Sequence, residues 1–369
     1  MDEPFKDAAK LYSLPSEIGV SELESFASCP FKHFVRYGIR PEERKIYEVA
    51  PTDVGLLMHD AIDLFTDKLK VLNINDITDK EIELWINEIF DVEIKNIFET
   101  EISETYRNRY IINQVKNDAF ITSKEIVSQI KSGEFKLWKN EAVFGRGGDF
   151  PAVKLSENIS LKGRIDRVDI LRKEDKEYIK IIDYKTAIKE LDLSDVWQGL
   201  SLQLITYMYA VLQSKPIYTP AGIFYFPAHK PSINTDDKEN ITSLIQKEFT
   251  MNGLVLDNAE ILNAIGQYKG SKKSIIKIKN GELNKLNEIQ FNNLIKCVMN
   301  KISDISKSIS NGERKIEPIF ENTDSTGCKF CRYASVCKFD DRIENKYSIK
   351  EKIKEERILQ FLKESEKYE

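Results

Sequence analysis

Two short segments carry the residues best suited to chemistry: Gly163-Arg164-Ile165-Asp166 and Ile182-Asp183-Tyr184-Lys185. Apolar stretches 161–171 and 178–184 flank the charged run Arg172-Lys173-Glu174-Asp175-Lys176-Glu177 and predict two strands joined by a hairpin turn. A hairpin centred there sets Asp166 opposite Asp183. Lys185, two residues on, points to the same face, while Tyr184 points to the other and has only its carbonyl to offer a shared ion. Paired carboxylates repel one another, and a divalent cation such as Mg²⁺ or Mn²⁺ relieves that repulsion while polarising a phosphoryl oxygen and activating water. Lys185 is placed to orient the water or balance developing charge. The D-x-K triplet also occurs on ordinary surface hairpins, so further residues must support the reading.

His59 is one of only three histidines and sits in Gly55–Phe65, where Leu57, Ala61, Ile62, Leu64 and Phe65 fit a helix facing a core. As neutral imidazole it can join a metal site, although a lone histidine beside a helix is often structural. In the run 197–210, Gln203 and Tyr207 lie four residues apart on one helical face. Their tips could reach the lysine or a DNA backbone, or the helix could simply belong to the core.

A second pattern is Cys328-Lys329-Phe330-Cys331 with Cys337, and Cys29 far upstream before Pro30. Three close thiols and a remote fourth suit structural zinc or an iron–sulfur cluster, and would staple the two ends of the chain together. The C-x₂-C half-site by itself tilts toward zinc. A disulfide framework is disfavoured by low cysteine density and the absence of a signal peptide. Cys297 reads as a small buried apolar residue.

Together these stretches resemble the C-terminal nuclease region of the AddB subunit of bacterial AddAB helicase-nucleases, in the RecB-like branch of the PD-(D/E)xK superfamily. The matching segments are 21–34, 55–59, Gly163–Asp169, Asp183–Lys185, 199–207 and the cysteine trio through Asp340, in the family's order and across almost the whole chain. The resemblance implies that His59, Asp166, Asp183 and the Tyr184 carbonyl bind Mg²⁺ or Mn²⁺, and that Lys185 assists hydrolysis. It also implies that Gln203 and Tyr207 are supporting residues. It assigns Cys29, Cys328, Cys331 and Cys337 to a [4Fe–4S] cluster rather than zinc. It further implies a DNA exonuclease acting on single strands in double-strand break repair and recombination, leaving 5′-phosphate and 3′-hydroxyl ends, with an AddA-type helicase-nuclease subunit as partner. A full AddB-type subunit has a helicase-like region ahead of this part, and no G-x-x-x-x-G-K-[ST] loop occurs here. The other reading is a noncatalytic, cluster-stabilised DNA-binding or scaffold module; the intact His59, Asp166, Asp183 and Lys185 weigh against it.

The elements that must position these residues follow from length and periodicity. The chain has 369 residues, enough for a substantial core. The expected fold is α/β: a restriction-endonuclease-like core with a central mixed sheet, large helical insertions and a cysteine-ligated iron–sulfur staple. Residues 1–20 read as a leader and 21–345 as one nuclease domain. Within it, a first helix spans 21–37, with a Ser21/Glu24 capping box and a break at Cys29-Pro30. A helical region covers 54–135, and strands cover 139–144, 161–171, 178–184 and 221–226. Residues 240–312 read as mostly helical, 313–340 as the cysteine module, and 346–369 as a charged tail, a solvated helix or a frayed end. No apolar run of membrane-spanning length and no repeat occurs, so a cytoplasmic protein without a membrane role is expected.

The formal net charge of −5 is awkward for phosphate binding. A local patch can compensate: Lys269, Lys272, Lys273, Lys277 and Lys279, or Lys329, Arg332 and Lys338 interleaved with Phe330, Tyr333 and Phe339. The second group suits phosphate contact and base stacking, and suits solvated charges over an aromatic mini-core equally well.

Overall fold

In the computed structural model, residues 16–42, 49–97, 105–229, 241–267, 275–279, 282–322, 325–343 and 345–364 are described. Strand β1 (Glu17–Gly19) runs straight into α1 (Val20–Ser28). Cys29 is extended (φ −170°, ψ 117°) and ends that helix, and Pro30, which has no N–H to lose, opens α2 (Pro30–His33) before a π-helical turn, Phe34–Ile39. The break therefore falls at the expected dipeptide. The expected capping box does not form: α1 starts a residue earlier, with Gly19 as an N-cap that makes no side-chain bond. Of the expected leader, residues 1–15 lie outside the described residues, and Glu17–Gly19 is a strand paired with the central sheet.

Helices α3 (Pro51–Leu69), α4 (Asp79–Ile97) and α5 (Tyr106–Lys131) form the helical region. Next come β2 (Lys136–Phe144), β3 (Val153–Lys154), β4 (Ser160–Arg172) and β5 (Glu177–Lys185). A crossover through α6 (Leu193–Gln198) and α7 (Gln203–Leu212) leads to β6 (Tyr218–Pro227), which lies parallel to β5. The chain continues through α8 (Ile241–Glu248), β7 (Asn252–Leu256), α9 (Ala259–Ile265), the two-residue strands β8 (Ile278–Lys279), β9 (Glu282–Leu283) and β10 (Lys285–Leu286), and α10 (Glu288–Ser310). Last are β11 (Ile319–Asn322), β12 (Ser325–Thr326), α11 (Ala334–Cys337), β13 (Ser348–Ile349) and α12 (Glu355–Glu364).

The main sheet runs β1-β4-β5-β6-β7-β10, with β2 and β3 also paired to β4. It is mixed: β4/β5 and β6/β7 are antiparallel, β5/β6 parallel. One face packs Val168, Ile181 and Ile223 with Phe26, Leu204 and Leu294. The other packs Ile182, Tyr184 and Phe224 with Ile62, Ile86 and Ile126 from α3, α4 and α5. Helices thus cover both faces, which is why β5 and β6 read as continuous apolar runs.

Two expectations fail here. Residues 240–312 are not simply helical, because β7 and β10 extend the sheet; β7 is a five-residue strand buried on both faces, too short a run to stand out between helical flanks. The charged tail is not merely solvated: α12 buries Ile358 and Leu362 in the core, at helical spacing that its charged neighbours hide. Lys350 adds ion pairs to Asp195 (2.5 Å) and Glu321 (3.0 Å).

Candidate metal centre and cysteine cavity

The β4–β5 turn is the expected one: Arg172 pairs with Glu177, and the ladder runs back to Arg167–Ile182. One step further, at Asp166 and Asp183, the ladder gives way to a side chain. The Asp166 carboxylate accepts the Tyr184 N–H at 2.7 Å. On the other edge of β4, β2 places Asn140 beside Arg167 and Ala142 beside Ile165, which leaves Glu141 level with Asp166. Three acidic positions therefore cross the sheet in a row. Glu141 holds a left-handed backbone (φ 44°), an unfavourable conformation for a side-chain-bearing residue in a strand. Arg164 steadies it with a 3.0 Å contact.

His59 comes from α3 and puts Nδ1 3.4 Å from Asp166 Oδ2. A backbone hydrogen bond with Tyr184 adds a tie to the same strand end. His59, Glu141 and Asp166 each offer a ligand atom within 4.8 Å of the others. Burial, then the Asp183 charge, holds the Asp166 carboxyl well above its ordinary range. Burial likewise lowers the His59 pKa, which favours the neutral imidazole that ligates metals. Asp183 is 1 % exposed, and neither of its oxygens has an aligned hydrogen-bond partner among the described residues, although Lys185 Nζ lies 2.5 Å from Oδ2. Lys185 offsets the charge at Oδ2, whereas Oδ1 is buried with no donor among the described residues, a position that a divalent cation can complete. The donor set of one imidazole and clustered carboxylates fits a hard divalent ion.

Lys185 is also held by Gln203, whose Oε1 lies 3.3 Å from Nζ, and Gln203 Nε2 donates to the Tyr207 hydroxyl at 2.8 Å. Both residues of the helical pair thus reach the site. What presents Gln203 is Glu24: its Oε1 accepts the N–H groups of Leu202 (2.8 Å) and Gln203 (3.2 Å) and caps α7 from another helix. Gly163 lets the Tyr207 helix come close, since a Cβ there would stand 2.5 Å from the Phe144 ring and 3.2 Å from Tyr207. On the opposite sheet face, Arg167 makes a two-pronged contact to Asp169 (2.7 Å each), and Lys180 joins it at 2.9 Å. All three are at most 2 % exposed. They stiffen the stretch of β4 and β5 from which the acidic row emerges.

Sequence reading misses two participants. Glu141 lies within an expected strand, but the 15 residues before β4 hide its register. Glu24 looks like a local cap.

The four cysteines Cys29, Cys328, Cys331 and Cys337 line one cavity of about 210 Å³, with Phe31, Tyr333, Phe339 and Tyr347. Gly327 makes the approach possible: a Cβ there would stand 2.8 Å from the Ser28 carbonyl oxygen, so Cys328 and Cys29 are neighbours by close backbone packing. Burial, with the neighbouring thiols, pushes Cys328 up to about 11. Cys297 packs apart, half-buried against α10's core face.

Of the basic groups, Lys269, Lys272 and Lys273 lie outside the described residues. Lys277 pairs with Glu190 at 2.5 Å and Lys279 with Glu355 at 3.7 Å. Tyr333 and Phe339 belong to the cysteine cavity wall, while Phe330 is 91 % exposed with Lys329 over its ring.

Comparison with known proteins agrees with this geometry. A family profile for the PD-(D/E)XK nuclease superfamily matches residues 17–338, and the chain belongs to that superfamily. More particularly, it is homologous to bacterial AddB sequences, the B-type subunits of ATP-dependent helicase/deoxyribonucleases. It is 37% identical to the AddB of Alkaliphilus oremlandii, over 96% of this chain and 33% of the relative. The AddB sequences of Clostridium tetani (35% identical, 97% of this chain, 33% of the relative) and Clostridioides difficile (33% identical, 97% and 33%) are similar. The chain spans about a third of the length of these relatives. Among the described residues, no helix is long and apolar enough to cross a membrane.

Proposed function

We propose that this chain hydrolyses phosphodiester bonds of single-stranded DNA as a Mg²⁺- or Mn²⁺-dependent exonuclease. In this reading it is the nuclease part of an AddAB-type assembly in break repair and recombination, with an AddA-type subunit as partner. The observation that carries the reading is the buried Asp183 carboxylate, paired with Lys185 at one oxygen and with no donor to the other among the described residues, acting on the His59/Glu141/Asp166 group. His59, Asp166, Asp183 and the Tyr184 carbonyl would hold the ion, with Glu141 beside them. A divalent ion there supplies Lewis-acid stabilisation of phosphoryl charge and activation of water. Lys185, steered by Gln203 and Tyr207, orients the attacking water and offsets charge on the phosphate. Asp166 fixes the strand end by accepting the Tyr184 N–H, so its second oxygen is left for the ion.

A [4Fe–4S] cluster on Cys29, Cys328, Cys331 and Cys337 belongs to the same proposal. Its support is the one cavity that all four thiols line.

The test is cleavage of end-labelled single-stranded DNA by anaerobically purified protein with Mg²⁺ or Mn²⁺, with iron and sulfide measured on the same sample. Cleavage that disappears in Asp183→Ala supports the assignment. A folded, iron-loaded protein that binds DNA without cutting it would instead be the noncatalytic module.

A further inference from the structure

We infer that the cavity beside Lys185 is a seat for a single nucleotide next to the cut, gripped through its phosphate by Lys189 and Lys247. This rests on the nuclease reading of the metal site. The cavity holds about 440 Å³ and begins at Lys185 itself. It opens at the carboxyl ends of β5 and β6, the long parallel pair, and parallel strands place ligands at that end. Its far wall comes from the start of β7 and the stretch before β8.

The lining divides by chemistry. Lys185, Lys189, Lys247 and Lys277 bring cationic groups, and Ile188, Phe226 and Pro227 bring apolar surface. Two carboxylates also line it, Glu190 and Glu248, and Glu190 is engaged with Lys277 at 2.5 Å. Lys189 stands over the Tyr225 ring, 4.7 Å from its centre, and so is aimed along the wall that leads to Lys185. His229 also lines the cavity.

Ile188 is the protruding element. It is 80 % exposed, three residues beyond Lys185, and on the cavity rim. An isolated apolar side chain there suits contact with a base face, since stacking and van der Waals contact tolerate any sequence. The size of the cavity lies at the lower part of the range of about 300–1,000 Å³ typical of small-ligand pockets. A volume of that size accommodates one nucleotide unit. A strand seated there is single where it meets Lys185, which gives the single-strand reading a structural basis independent of the metal.

The experiment uses the Asp183→Ala protein, so that binding is read without cleavage, and oligo(dT) as probe over a series of salt concentrations. Lys189→Ala with Lys247→Ala is expected to flatten the slope of log affinity against log salt by about 1.4, two phosphate contacts at about 0.7 each. Ile188→Ser is expected to weaken binding several-fold with the slope unchanged. Far-UV circular dichroism confirms that each surface variant is folded. Unchanged slope and affinity in the double lysine variant overturn the inference. If the slope falls as expected but the protein with Asp183 intact never cleaves, the nucleotide seat stands and the nuclease reading fails.

Discussion

The acidic row and the cysteine cavity are built by opposite means. Glu141, Asp166 and Asp183 sit on long strands whose register places them, between two large packed clusters. The cysteines sit on loops and short turns, beside a minor cluster whose buried members are Cys29, Phe31 and Val35. At about 1.5–3 kcal/mol per buried large apolar side chain, that minor cluster contributes little against the entropy of ordering the loops around it. The sheet holds its site before any ion arrives. The cavity has few buried contacts to hold its loops.

The difference can be broken from either side. Asp183→Ala is expected to give the largest effect, cleavage reduced at least about 10³-fold, a barrier increase of roughly 4 kcal/mol. The metal-free variant should melt close to the unaltered protein, because loss of the Lys185 pair is offset by removal of a buried oxygen that has no donor among the described residues. Single-turnover cleavage and a thermal melt in chelator check both halves. Asp169→Ala leaves Arg167 and Lys180 buried without their shared carboxylate, and should cost about 3–5 kcal/mol of stability, measured by urea unfolding.

Cys328→Ser should act on the other region: iron content falls and limited proteolysis near the cysteine loops speeds up, while far-UV circular dichroism of the sheet and helices persists. Chelation with EDTA tests the same separation in reverse, removing cleavage until Mg²⁺ is returned and leaving iron and sulfide bound. The smallest effect is expected for Glu24→Ala, which removes the cap on α7 at a cost of about 0.5–2 kcal/mol. Cleavage should slow through kcat with little change in KM, and Glu24→Gln, which keeps an acceptor oxygen, should recover most of the rate.

How much is legible in sequence follows the same division. The β4–β5 hairpin is readable because a short charged turn fixes register, and register fixes which side chains share a face. His59, Gln203 and Tyr207 are reachable through helical spacing and reach the site in the structure. Glu141 is not readable, since its strand pairs across an irregular segment containing β3. Glu24 looks like a capping residue because Ser21 precedes it by three positions, yet it caps a helix about 180 residues away. The β7 strand and the buried stripe of α12 escape because each is short and surrounded by charge.

The Gly327–Ser28 approach has a thermodynamic consequence for the whole chain. It puts Cys29 beside cysteines some 300 residues later, so any coordinate link made across that cavity would close the stretch between them into a ring. By the chain-entropy relation, closing a loop of that length restricts the unfolded ensemble by about 5–6 kcal/mol, comparable to the net stability of many single domains. The link would act chiefly on a state in which no sheet exists. A link there would then let the partly unfolded stretch refold from a closed loop.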